Sequence, residues 1–531
     1  MWPMKQLMRL ILLLALMSPL LGGCGLVPQA GPVSFDLLAR WVPGDAVQPF
    51  FLDLKPAGEA GARWERIRNR LEANSAAGPA LDSLLGQFRV QDFGLESFIV
   101  GPAVNGYLNS TQYIILQVNS QSAARDAILL QNVGSTQRER EEYQGKTLYH
   151  GMYLYGYGRR EYLALATYDG LLFLASDYDS DPIGDLKTIV SLPEEQSLAS
   201  LPTWKTLRGR LPEAPMGLVF YNVGDQLRQN PPPSSDTSLG TAFGQQLGAL
   251  ALAAVPEENG MRVEVAATLA TQSDIPPEID SLLRLPGVDP ASWTGLPADA
   301  AIALSSRSAP TVWPILSDIF SIGSLDTVRD TVGLDLEADL FGVDGPLSGD
   351  FVVAITPPLP DQPISQGLIA GQLLFLARGT SDAQMATLQT AMQNRGAVLS
   401  SRTVNGVELQ TQVGAELTGY AISFGFDDNV FLLGTSPGIV DRSVSARRDG
   451  NGLPQDPVFQ AVLAAMPQKP SFFFYVNRPS LTDLVKANMT EAEYNQNQSQ
   501  EFLALEAFDA VALGLKFSPD RIDGVLFCFV K

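Results

Sequence analysis

The sequence predicts an α+β fold made of two tandem homologous modules, each a mainly antiparallel sheet packed with helices. Three observations carry this. Short runs alternate apolar and polar residues and follow one another through tight turns, the pattern of β-hairpins. Between them lie stretches with apolar residues three and four apart, the pattern of helices resting on a sheet. A set of landmarks then recurs in the same order about 254 residues later.

Element by element, Val47 to Leu54 reads as a strand, and Arg63 to Ala73 as a helix with Trp64, Ile67 and Leu71 on one stripe. Tyr113 to Val118 alternates as a strand, and Ser122 to Val133 is helical with Ser122 as its cap. Thr147 to Tyr155, Tyr162 to Thr167 and Leu171 to Ser176 are closely spaced strands whose joints, Gly156-Tyr157-Gly158 and Asp169-Gly170, are turn sequences. Helices are expected around Asp185 to Leu192 and Thr203 to Leu211, with a strand at Leu218 to Asn222. A helix from Phe243 to Val255 and a strand from Met261 to Leu269 close the module. The second module repeats the pattern down to a last pair of strands, Phe508 to Phe517 and Ile522 to Val530. Runs of adjacent strands mixed with helices favour α+β over a doubly wound parallel fold.

The repeated landmarks are specific. Trp41-Val42-Pro43-Gly44-Asp45-Ala46 matches Gly295-Leu296-Pro297-Ala298-Asp299-Ala300. Trp204-Lys205-Thr206-Leu207, Leu211-Pro212, Pro215 and Phe220-Tyr221-Asn222 match Phe459-Gln460-Ala461-Val462, Met466-Pro467, Pro470 and Tyr475-Val476-Asn477. Between them Tyr168-Asp169-Gly170 aligns with Phe426-Asp427-Asp428, and Gly145 with Gly406. The period far exceeds the 20 to 50 residues of a solenoid, so a domain duplication is expected. The chain then divides into a signal segment (1–23), a tether (24–34), module 1 (35–272), a proline-stiffened linker (273–294) and module 2 (295–531).

The signal segment has Lys5 and Arg9 before an apolar stretch, Leu10 to Leu21, of about a dozen residues, short of the roughly 20 that span a bilayer. Leu21-Gly22-Gly23-Cys24 follows and reads as a lipoprotein cleavage site. Cys24 is then the expected lipidation site: diacylglycerol joins its thiol, the chain is cut before it, and the acyl chains (palmitate among them) anchor the new terminus. The expected address is extracytoplasmic, on a bacterial membrane. The tether from Gly25 to Ser34 would keep module 1 within about 35 Å of it.

The formal net charge is −21, from 36 basic and 57 acidic residues. Such a surface repels phosphate backbones, which argues against a nucleic-acid partner. It also repels anionic lipid headgroups, leaving the acylated N-terminus as the expected membrane contact. With Cys24 acylated, Cys528 is the remaining cysteine, and its apolar run marks it as a buried small hydrophobe.

The layout resembles a bacterial family of envelope-directed proteins designated domain of unknown function 3352. The resemblance rests on Leu38-Ala39-Arg40-Trp41-Val42-Pro43-Gly44-Asp45-Ala46 and on the strands ending at Asn222 and Asn477. It implies a place in the cell envelope and carries no assigned activity to any residue.

Assembled catalytic chemistry is hard to find. His150 is the only histidine, which excludes zinc sites built from several His or Cys ligands. It reads as a surface or satisfied strand residue, and no Gly-x-Ser-x-Gly elbow accompanies it. One metal pattern remains: Asp177, Asp179, Asp181 and Asp185 fall at loop positions 1, 3, 5 and 9, as calcium requires. Pro182 replaces the turn glycine and Thr188 the bidentate glutamate, so a solvated acidic loop capping the next helix is the plainer reading. No other cofactor is expected. Eight of fourteen tyrosines lie between Tyr143 and Tyr178. Tyr153, Tyr155 and Tyr157, followed by Arg159 and Arg160, could line one sheet face as a ligand surface for a glycan or an envelope protein; plain strand packing is the favoured reading. The expected function is non-catalytic binding or scaffolding. Alternatives are a solute-binding receptor lipoprotein of a transporter and a carboxylate-dependent hydrolase of wall polymers.

Overall fold

The computed structural model of the chain describes residues 35–74, 88–108, 110–131, 138–154, 160–224, 239–269, 275–313, 334–358, 371–413, 421–487 and 507–530. The signal segment, Cys24 and the tether lie outside these residues, as do Tyr155, Tyr157 and Arg159. Helix and strand are mixed, and the strand pairing is antiparallel. Among the described residues no helix is long and apolar enough to cross a membrane. The chain forms two compact units. Of the described residues, the N-terminal unit takes in 35–224 and 247–269, and the C-terminal unit those from 275 to 530 with the helix Leu239–Gln246.

In the N-terminal unit the strands are β1 (Val47–Asp53), β2 (Ile99–Leu108), β3 (Thr111–Val118), β4 (Arg138–Tyr143) and β5 (Lys146–Leu154). They continue as β6 (Arg160–Tyr168), β7 (Leu171–Asp177), β8 (Gly217–Tyr221), β9 (Leu247–Glu257) and β10 (Gly260–Leu269). Their pairing gives the order β10-β9-β8-β1-β2-β3-β7-β6-β5-β4. One face carries Phe51, Tyr113, Ala164, Phe173 and Ala251 beneath the helices Phe35–Ala39, Ile183–Val190 and Pro202–Arg208. Alternate residues such as Leu52, Ile114, Leu165 and Leu174 are buried as well, so the sheet is covered on both sides. The helix Gly58–Glu72 packs against β9, and the helix Gln121–Gln131 against β6 and β7.

The C-terminal unit has β11 (Ile302–Arg307), β12 (Asp350–Thr356), β13 (Gln372–Arg378), β14 (Val398–Val404) and β15 (Val407–Val413). Then come β16 (Ser423–Asp427), β17 (Val430–Gly434), β18 (Phe472–Asn477), β19 (Ala510–Ser518) and β20 (Arg521–Phe529). Their order is β20-β19-β18-β11-β12-β13-β17-β16-β15-β14. Two apolar clusters lie on its two faces, one around Leu376, Leu432, Phe459 and Tyr475, the other around Phe351, Phe375, Phe424 and Phe431.

Several elements depart from the sequence reading. The expected helix Phe243 to Val255 is mostly strand β9, flanked by β8 and β10. Alanine favours helix when isolated, but Ala249, Ala251 and Ala253 here form a small-residue strip beneath the unit's helices, and tertiary packing overrides propensity. Strand β2 was hidden by Gly101-Pro102 and Gly106. Its pairing with β3 is irregular between Ile99 and Ala103, so Pro102 sits where the ladder is already broken. Strand β4, Arg-Glu-Arg-Glu-Glu-Tyr, shows no apolar alternation because it is an edge strand. The helix Gln121–Gln131 is capped by Ser120 rather than Ser122: Ser120 Oγ accepts from Ala123 N at 3.4 Å.

The stretch 273–294, read as a linker, is partly built into the C-terminal unit. Pro276-Pro277 does not extend it: Pro277 is at the start of the helix Pro277–Leu283, where its missing N–H is harmless. Leu282 and Leu285 join the C-terminal core. The alignment of Asp169 with Asp427 also slips by one. Asp169 and Asp428 both follow the first strand of their hairpin with positive φ (51° and 55°), so Asp428 holds the matching turn position.

Candidate binding face

The acidic loop leaves the end of β7 and enters the helix Ile183–Val190. Its first carboxylate, Asp177, is buried. Asp177 Oδ1 accepts from the Asp179 and Ser180 amides at 2.8 and 3.3 Å, and Oδ2 accepts from Ser110 Oγ at 3.1 Å. These donors, led by the Asp179 amide, hold its carboxyl below the usual carboxylate range against the opposing effect of burial. Asp181 Oδ1 accepts from Ile183 N at 3.1 Å, at the first turn of the helix, while Oδ2 lies 2.6 Å from Nδ1 of His150. Asp185, one turn on, accepts from the Thr111 hydroxyl. Asp179 is exposed.

These contacts answer where each predicted ligand goes. Asp177, Asp181 and Asp185 are directed to Ser110, His150 and Thr111 respectively, on different strands and turns. Among the described residues no group of three or more His, Cys, Asp or Glu side chains is arranged to hold a metal ion. His150 is 8 % exposed on β5, on the helix-covered side of the sheet, and its Nε2 is 3.8 Å from Glu139. It straps the loop to the β4–β5 hairpin. Cys528 is fully buried in β20, and burial pushes its thiol up to about 12.

A loop tied down at three points is a rigid support, and it presents Tyr178, which is 70 % exposed. Tyr107, at the end of β2, is 46 % exposed. It pairs across with Gln112, which in turn faces Ser176 on β7, so both tyrosines stand at one end of the sheet. The predicted surface borders the same end: Tyr153 lies next to the last residue of β5, Arg160 opens β6, and they flank the segment holding Tyr155, Tyr157 and Arg159. Sequence reasoning counted Tyr178 in the tyrosine-rich stretch without singling it out, and passed over Tyr107. A large aromatic between two aspartates in a loop was the available signal for Tyr178. Tyr107 had none, because β2 went unseen.

Below this end, Arg89 forms an ion pair with Glu161 of β6 and also reaches Asp92 and Ser176. With Arg89 11 % and Glu161 4 % exposed, removing Arg89 would leave the buried Glu161 carboxylate without this cation. Elsewhere Arg262 pairs with both Glu257 and Glu264 and offsets one of their two negative charges.

The fold defined here is a helix-covered antiparallel α+β sheet. Solved structures similar to it include two crystal forms of TP0453, each 10 % identical to the chain. Form III covers 49 % of this chain and 90 % of its own, with a TM-score of 0.24; form I covers 48 % and 87 %, with a TM-score of 0.26. Among curated proteins none matches. Residues 108–503 match the family described as protein of unknown function DUF3352, and the chain belongs to that family.

Proposed function

We propose that the protein is a lipid-anchored extracytoplasmic protein of the cell envelope that binds or scaffolds rather than catalyses, built from two tandem copies of one α+β module. The duplication is supported by strand orders that correspond position by position, β1 to β11 through β10 to β20. It is supported at atomic detail by the Pro43 and Pro297 turns. Leu198 N donates to Val42 O at 2.7 Å, and Leu453 N to Leu296 O at 2.7 Å. Within the turns Ala46 N donates to Pro43 O at 3.1 Å, and Ala300 N to Pro297 O at 3.0 Å.

A charge reversal adds to this. Glu141 stands three residues before the β4–β5 turn and pairs at 2.7 Å with Lys187, the fifth residue of its helix. Arg402 stands three residues before the β14–β15 turn and pairs at 2.6 Å with Asp441, the fifth residue of the helix Pro437–Asp449. The same bridge is made twice with its signs exchanged.

The binding role rests on one observation: the acidic loop ties Asp177, Asp181 and Asp185 into its own support and leaves Tyr178 to solvent, with the exposed Tyr107 at the same end of the sheet. Exposed phenols combine apolar area with a hydrogen-bonding tip, which suits a glycan or a polypeptide partner. Crosslinking and pulldown from native membranes tests it. A Tyr107→Ala/Tyr178→Ala chain is expected to lose a partner that the native chain enriches. Equal enrichment by both chains would remove the face from consideration.

A further inference from the structure

The two units differ sharply at their corresponding edge strands. Strand β4 carries five charges in six residues, a pattern that opposes pairing with another strand. Strand β14 carries one, Arg402, in Val-Leu-Ser-Ser-Arg-Thr-Val. Among the described residues β14 pairs with β15 alone. Its Val398 is 64 % exposed, and the cross-strand partner Val413 is 48 % exposed. The guanidinium of Arg402 is turned inward, to Asp441, Thr411 Oγ1 (2.7 Å), Ser423 Oγ (3.1 Å) and the Pro437 carbonyl (3.2 Å). The outer edge of β14 is therefore an uncharged row of backbone donors and acceptors on a chain of net charge −21.

We propose that β14 pairs with β14 of a second copy of this chain, antiparallel about a two-fold axis through Ser401. The sequence suits that operator. Centring on Ser401 sets Val398 opposite Val404 of the other copy, Leu399 opposite Thr403, and Ser400 opposite Arg402, so no like charges meet. The same operation on β4, which has an even number of residues, would set Glu139 against Glu142. A two-fold contact of this kind is self-complementary and closed, ending at a dimer instead of a filament. Strand addition supplies main-chain hydrogen bonds, and the exposed Val398 supplies an apolar contact to the half-buried Val404 of the other copy. A seven-residue ladder is a small interface, so dissociation on the order of 10 μM is expected.

The test uses the full chain after the signal segment, with Cys24→Ser, in analytical ultracentrifugation from 1 to about 200 μM. A monomer–dimer equilibrium is expected. Ser401→Lys, which sets two ammonium groups face to face across the axis, should weaken it at least about tenfold while leaving the melting temperature unchanged. Ser401→Cys should give a disulfide-linked dimer on mild oxidation, because opposed strand residues lie about 4.5–5.5 Å apart between Cα atoms. Thr403→Cys, four residues from its own symmetry mate, should not. A monomer across the whole range overturns the proposal, as does a dimer indifferent to Ser401→Lys or crosslinked equally through Thr403→Cys.

Discussion

Tyr113 and Tyr475 are buried in the cores of the two units, with phenolic oxygens that have no hydrogen-bond partner among the described residues. Burial raises both above their ordinary range, and it raises Cys528 to about 12. Each group stays protonated in the folded chain at a pH where the unfolded chain has already ionised it. Folded protein then binds more protons than unfolded, so stability falls as pH rises. Cys528 sets the start of the window, near pH 9, and the tyrosines add to it above about pH 10. The expected slope is about 1.4 kcal/mol per pH unit for each group fully engaged. Urea midpoints measured between pH 8 and 11 should fall, and Cys528→Ala should flatten the lower part of that fall. A midpoint independent of pH would show that these side chains are not sealed from water. Gly106 lies against Tyr113, whose phenol occupies the space a Cβ would need, so the ring fits there because that residue is glycine.

At the scale of elements, strands with plain alternation were legible, and so were helices with a clear stripe such as Gly58–Glu72. Gly145 and Gly406 stood out as aligned landmarks, and both hold positive φ in the turns before β5 and β15, a conformation glycine adopts freely. What failed were segments whose local chemistry disagreed with their place. Strand β2 looks like a loop because Pro102 occupies a bulge, and β9 looks like a helix because its alanines answer to the helices above them. The candidate face was half legible: the acidic and tyrosine-rich residues stood out, but their division into support and presented surface depends on contacts such as His150 to Asp181, 31 residues apart. The charge-reversed bridge was invisible for the same reason. Both bridges are partly exposed, so each is worth a few tenths of a kcal/mol. Lys187→Asp should destabilise the chain by about 0.5 kcal/mol, and adding Glu141→Arg should recover most of that. Thermal unfolding of the two single variants and the double completes the cycle; a double variant no better than the sum of singles would deny the coupling.

For the molecule as a whole, the landmarks that suggested duplication were structural ones, prolines and turn residues that recur because the turns recur. Composition pointed the same way as the proposed address. A chain of net charge −21 gains nothing from anionic headgroups, so the proposed function assigns attachment to an acyl group on Cys24. Cys24→Ser is accordingly expected to move the protein from the membrane pellet to the soluble extract of the envelope, in salt-independent fashion. Retention in the pellet by the Cys24→Ser form would place the attachment elsewhere.

The proposed duplication, with two similar modules on one chain, invites a particular error, in which a segment of one completes the other during synthesis. The paired bridges stand against it. A helix carrying Lys187 that strayed onto β14 would meet Arg402, and one carrying Asp441 that strayed onto β4 would meet Glu141. Each wrong union opposes like charges where the right one joins unlike, so a contact too weak to stabilise the fold much can still sort its halves.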